Sequence, residues 1–143
     1  MHGFRRVILS GWILLLLPIV GAVAAEGLPR TQFNFKTPSP VAYEVAPLAK
    51  RAEGPRWLQA HERDRPGVRV EFGSQIILRL AKGQALGQAT AGLGLEFVRE
   101  FAPQLFILEA RSVWNALVAA ETLGLRNDVQ VSHPVRRLSL IHI

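Results

Sequence analysis

With 143 residues and a formal net charge of +6, the chain has room for one domain and its appendages. It holds no cysteine, which excludes a disulfide framework and a thiolate metal site. The basic excess is dispersed, since residues 26–73 and 74–137 each carry two more basic than acidic side chains and no basic run exceeds two, so a dedicated nucleic-acid stripe is not expected.

The first 25 residues have the pattern of a secretory leader. Arg5 and Arg6 supply the positive start, residues 7–20 are almost wholly apolar, and small side chains close the segment at Ala24 and Ala25, where a signal peptidase would cut. Pro18 and Gly21 interrupt the apolar run before it reaches the ~20 residues that a spanning helix needs. Cleavage and export are therefore expected, with the mature chain secreted or periplasmic and the membrane met only through the leader.

Residues 26–67 read as a proline-rich extended lead-in, because Pro29, Pro38, Pro40, Pro47 and Pro55 recur too often for a long helix. Within it, residues 41–45 alternate as a short edge strand, residues 57–61 suit one helical turn, and Pro66-Gly67 marks a turn. Val68, Val70 and Phe72 then alternate as an additional strand before Gly73.

The domain proper is expected over residues 68–137. Residues 75–80 alternate, with Ile76, Leu78 and Leu80 on one face, and Lys82-Gly83 turns the chain into a helix over 84–93 that Gly92 and Gly94 cap. Residues 95–101 form the next strand, and Ala102-Pro103 turns into a strongly apolar strand over 104–110. Ser112 then caps a helix over 113–123, with Val113, Ala116, Leu117 and Ala120 along one side, and Gly124 ends it. A last strand spans 129–133 and stops at Pro134. This order gives an α+β fold, a ferredoxin-like βαββαβ sandwich with two helices on one face of a four-stranded antiparallel sheet. At roughly sixty residues its core is marginal without a partner. Residues 138–143 are an atypical apolar tail, expected to be foreign to the domain.

Catalytic chemistry finds little support. His2, His61, His133 and His142 are scattered, no carboxylates fall at metal-ligand spacing, and no serine sits in a nucleophile elbow. Gly83, Gly87, Gly92 and Gly94 lack the spacing of a phosphate-binding loop. His133 has only Asp128 and Ser132 nearby as triad partners, and strand alternation sends Ser132 to the opposite face. Phe97, Phe101 and Phe106 lie on strands, but the basic-glycine-aromatic pattern of an RNA-recognition sheet is missing. No catalytic residue, cofactor, metal or nucleic acid is expected. The dibasic pairs Lys50-Arg51 and Arg136-Arg137 are candidate processing sites, the second the better because it follows the domain.

Three runs carry a resemblance: Gln75-Ile76-Ile77-Leu78-Arg79-Leu80 with Ala81-Lys82-Gly83; Gly92-Leu93-Gly94-Leu95-Glu96-Phe97-Val98-Arg99-Glu100; and Val129-Gln130-Val131-Ser132-His133-Pro134-Val135-Arg136. In this order, behind a leader, they resemble the N-terminal prodomain of secreted subtilisin-like serine proteases, the fervidolysin-like branch in particular. The resemblance covers about residues 68–137. It implies an intramolecular chaperone and inhibitor that docks a sheet face on the protease, in cis or in trans, and sends the segment after its last strand into the substrate cleft. Carried onto this chain, the contacts are Arg99, Phe106 and Val131 on the open sheet face and Pro134, Val135, Arg136 and Arg137 as the cleft-entering tail. None of the protease's own catalytic blocks occurs here. The competing expectation is an exported, non-catalytic adaptor or sensor domain of the same fold.

Overall fold

The computed structural model describes residues 32–45 and 56–138. Its elements are β1 (Gln32–Asn34), β2 (Ala42–Val45), β3 (Leu58–Glu62), β4 (Arg65–Leu80), α1 (Leu86–Thr90), β5 (Glu96–Ala102), β6 (Leu105–Glu109), α2 (Val113–Gly124) and β7 (Val129–Leu138). Strand β4 is the spine. Its even-numbered apolar residues Val70, Phe72, Ile76, Leu78 and Leu80 are all buried, as the two-residue period of a strand with one covered face requires.

Every strand pair is antiparallel, and β4 serves three neighbours. β7 runs along one whole edge, from Val70↔Leu138 to Leu80↔Val129. The other edge is shared, with β3 taking the first half (Ala60↔Val70, Leu58↔Phe72) and β6 the second (Ile76↔Leu108, Leu78↔Phe106). β2 and β1 continue outward from β3, and β5 from β6, to give a seven-stranded sheet. Beyond β1 the chain returns to β7 through an antiparallel bridge, Lys36↔Ser132, with the Ser132 amide donating to the Lys36 carbonyl at 2.9 Å. Strands β1, β2, β3, β4 and β7 are thereby joined in a closed ring. Phe33, Phe35, Tyr43 and Phe72 are buried there and pack ring against ring, with Phe35–Phe72 and Tyr43–Phe72 edge to face at 5.5 and 5.0 Å.

Helix α2 covers the seam. Ser112 caps it, its side chain accepting from the Asn115 amide at 3.1 Å, and Val113, Ala116, Leu117, Ala120 and Leu123 face inward. The buried Ser132 hydroxyl donates to the Ala120 carbonyl at 2.7 Å, and the Asn34 amide donates to Glu121 Oε1 at 3.0 Å. Trp114 meets Phe33 edge to face at 5.2 Å.

The ferredoxin-like sandwich expected from the sequence is not the fold. Among the described residues the sheet has seven strands rather than four, and α2 alone forms a helical layer on it. The expected first helix shrinks to the five residues of α1. Ala85 before it is extended, no side chain caps it, Gly87 lies inside it, and Gly92 and Gly94 take positive φ just beyond. The described part of the expected lead-in is integral to the sheet. Pro38 and Pro40 fall in the β1–β2 connection and leave the strands on either side untouched. Residues 41–45 hold an interior strand rather than an edge, and the expected helical turn at 57–61 is β3, where Leu58, Ala60 and Glu62 alternate inward. The turn falls at Arg63 and Asp64 rather than Pro66-Gly67, and Pro66 opens β4. Nor does Pro134 end the last strand. It sits opposite Ile76 where β4 carries two extra residues, a bulge that tolerates the missing amide. The leader, the Lys50-Arg51 pair and residues 139–143 lie outside the described residues. Among the described residues no helix is long and apolar enough to cross a membrane.

Because β1–β3 complete the ring, the segment 68–138 alone is expected to show no cooperative urea transition, whereas the whole chain unfolds in one. In the whole chain, Phe33→Ala is expected to cost about 3–5 kcal/mol, as for a fully buried aromatic residue. A cooperative transition of 68–138 matching that of the whole chain would contradict the closed ring.

Candidate functional site

The residues singled out from sequence divide between two regions. Cross-strand partners share a face, so Arg99, Ile107, Ile77 and His133 form one row across β5, β6, β4 and β7. Arg79 joins Leu105 and Val131 in the next row. These rows lie on the face turned away from α2, because their neighbours Ile76, Leu78, Leu108 and Ser132 point into the core. Arg99 is exposed there, with its guanidinium 5.3 Å from the Phe101 ring centroid. Val131 is half-buried on the same face. Phe106 is on the other side, buried beneath the helix layer and paired with Leu78, so it is not a surface contact.

Pro134, Val135, Arg136 and Arg137 do not form a free tail. They belong to β7, with Arg136 opposite Phe72 and Arg137 opposite Glu71. Pro134 is fully buried. Arg137 bonds Glu71 Oε2 at 2.6 Å and stacks on Trp57 at 4.2 Å. Arg136 Nη1 donates to the Tyr43 hydroxyl at 2.5 Å. Ala24 and Ala25 lie outside the described residues.

A cleft of about 570 Å³ opens where the β1–β2 connection faces β7. Phe35 and Tyr43 form part of its lining, as do Ile77, Val131 and Val135, and Glu62, Arg65 and Arg136 supply its charges. The buried Glu62 carboxylate is paired with Arg65 at 2.5 Å. His133 sits at the centre of the wall. Its ring lies edge-on to Phe35 at 5.3 Å and to Tyr43 at 6.4 Å, and Nδ1 donates to the Pro134 carbonyl. The His133 pKa falls from 6.5 to about 4, mainly through burial among these rings, with the hydrogen bond to the Pro134 carbonyl opposing the fall and the Arg136 charge adding to it. The imidazole is neutral at physiological pH. Tyr43 is shifted upward, mainly by burial, so its phenol keeps its proton.

The cleft does not assemble a hydrolytic constellation. Ser132 points to the opposite face from His133 and is committed to Ala120, while Asp128 is held by Arg126 through contacts of 2.8 and 2.7 Å. Among the described residues no three His, Asp or Glu side chains gather as metal ligands. Sequence reading missed the cleft because Tyr43, Glu62 and Arg65 lie in the segment taken for a lead-in. The one available trace was the alternation of 41–45, which marks Tyr43 as inward-facing. Compared with protein-family models, curated proteins and solved structures, the chain matches none of them.

The His133 environment makes stability pH-dependent. The unfolded imidazole takes a proton near 6.5 and the folded one only near 4, so the contribution is fully present above about pH 6.5 and is lost as the pH falls towards 4. The loss is expected to be on the order of 3 kcal/mol. His133→Phe, which keeps an aromatic ring against Phe35 and Tyr43, is expected to shrink the difference between urea midpoints at about pH 7.5 and about pH 4.5. An unchanged difference would mean that His133 is not the group responsible.

Proposed function

We propose that the chain is a non-catalytic docking module for the catalytic domain of a subtilisin-like serine protease, met in cis or in trans, and that it serves that domain as folding chaperone and inhibitor. One observation carries the docking. β5 is the outer strand beyond β6, exposed from Glu96 to Phe101, and Phe97, Val98 and Phe101 leave 60%, 44% and 66% of their surface to solvent. Large apolar side chains gathered on one edge mark an interaction site. Phe97 lies opposite Leu108 and meets the Phe106 ring at 6.5 Å on the helix side of the edge, while Leu105 and Ile107 are half-buried on the helix-free face with Arg99 at its rim.

The edge is built for a shaped partner rather than for indiscriminate strand addition. Register shifts interrupt the β5–β6 ladder between Phe97 and Arg99 and again between Glu100 and Ala102. Such bulges twist an edge away from flat pairing, and the charges of Glu96, Arg99 and Glu100 oppose stacking of like edges. Side-chain docking is left as the favourable mode. The protease class of the partner is supported by the sequence resemblance over 68–137. Inhibition in this reading comes from β5 and the helix-free face covering the protease, since Pro134–Arg137 are committed to β7. The cleft beside His133 favours a second reading, an exported adaptor or sensor with no protease partner.

Purified chain added to a subtilisin is expected to give progress curves with slow-onset inhibition. The Phe97→Ser/Phe101→Ser double variant is expected to weaken inhibition by ~10-fold or more, as loss of aromatic anchors does. Its urea stability is expected to fall by no more than about 2 kcal/mol, because both side chains are largely exposed and lose only the contacts to Phe106 and Arg99. No inhibition by the unaltered chain, or equal inhibition by the variant, refutes the proposal.

A further inference from the structure

The cleft beside His133 is a feature that docking through β5 does not use. At about 570 Å³ it lies in the range of small-molecule sites, ~300–1,000 Å³. Its surfaces divide by chemistry. Ile77, Val131, Val135 and Val41 are half-buried and offer aliphatic contact, while Phe35 and Tyr43, nearly fully buried, back the floor. An apolar body of one or two rings or branched chains fits such a lining.

The charges restrict the ligand further. Of the charged residues lining the cleft, Glu62 and Arg65 neutralise each other at 2.5 Å. His133 adds no charge at physiological pH. That leaves Arg136, which among the described residues has no carboxylate partner and uses one guanidinium nitrogen on the Tyr43 hydroxyl. The remaining guanidinium N–H groups are donors without a competing protein acid. The Tyr43 oxygen accepts from Arg136, so its own proton is available to a second acceptor at the same place. A guanidinium in contact with a phenol suits a carboxylate, which takes charge-assisted bonds from the first beside the second. A dianion would meet a single unpaired cation, which balances only half of its charge.

We propose that this cleft binds a small organic monoacid, its carboxylate on Arg136 beside the Tyr43 hydroxyl and its aromatic or branched body against Ile77, Val131 and Val135. The assignment has its own readout, since small-acid binding is measured without a protease, although Ile77 and Val131 share the helix-free face that the protease reading covers.

The test uses the whole chain with three probes of similar size: 3-phenylpropionate, the uncharged 3-phenylpropionamide and the dianion phenyl phosphate. Calorimetric titration is expected to show saturable binding of the acid, with the amide and the phosphate each weaker by ~10-fold or more. Arg136→Gln is expected to bring acid and amide to equal affinity, and Val131→Trp to fill the cleft and abolish binding of both. The ratio of acid to amide in the unaltered chain needs no variant to fold. An absence of saturation, equal affinities for acid and amide, or tighter binding of phenyl phosphate each overturns the proposal. So does an Arg136→Gln chain with the unaltered thermal transition that still prefers the acid.

Discussion

One backbone contact, the Ser132 amide on the Lys36 carbonyl, turns a sheet into a ring, and both surfaces described above depend on that closure. A single bridge is weak in isolation, since a hydrogen bond contributes only about 1 kcal/mol net. Here α2 clamps it. The helix holds β7 through Ser132 and Ala120, holds β1 through Glu121 and Asn34, and passes over Lys36 at Gly124. A Cβ at position 124 would come within 3.2 Å of the Lys36 Cβ, so the close approach of helix to seam depends on that glycine. The seam is thus held by buried polar groups that each have a partner, which is the condition for polar atoms in a core to stabilise rather than destabilise.

Closure also explains why the two candidate surfaces differ in kind. β3 occupies only the first half of one β4 edge, so β6 and β5 must grow from the second half, outside the ring. Nothing among the described strands pairs with the far side of β5, and its aromatic residues remain in solvent. On the ring side, the β1–β2 connection stands over β7 and leaves a cleft between them. His133 lies where the two regions meet, sharing a cross-strand row with Ile77, Ile107 and Arg99 while its ring packs into the aromatic cluster. Burial there keeps it uncharged, so the positive character of the cleft rests on Arg136.

Local chemistry that depends on neighbours in sequence was legible. Ser112 caps α2 as its position before an apolar-periodic run predicts, and Gly92 and Gly94 take the left-handed conformation expected beyond a helix end. The strands at 75–80 and 104–110 were legible from their alternation and pair directly, Ile76 with Leu108 and Leu78 with Phe106. The opposite faces of Ser132 and His133 followed from the same period. What misled were residues whose local preference is weak or contrary. Leu58-Gln59-Ala60-His61-Glu62 is rich in helix formers and becomes a strand because β2 and β4 lie on either side of it. Pro38 and Pro40 point to an extended lead-in, yet they fall in the β1–β2 connection and leave the strands on either side intact.

The sequence by itself therefore determined the inward and outward residues of the spine strands, the start of α2 and the absence of thiol chemistry, because each follows from a periodicity or a residue type within a short span. Only the tertiary structure decided that residues 32–45 and 56–66 belong to the sheet and its connections, that Phe106 is covered and Arg136 is not, and that β7 runs through Pro134. Those outcomes depend on pairings between residues as distant as Lys36 and Ser132, and no local pattern encodes which distant strand will occupy a free edge.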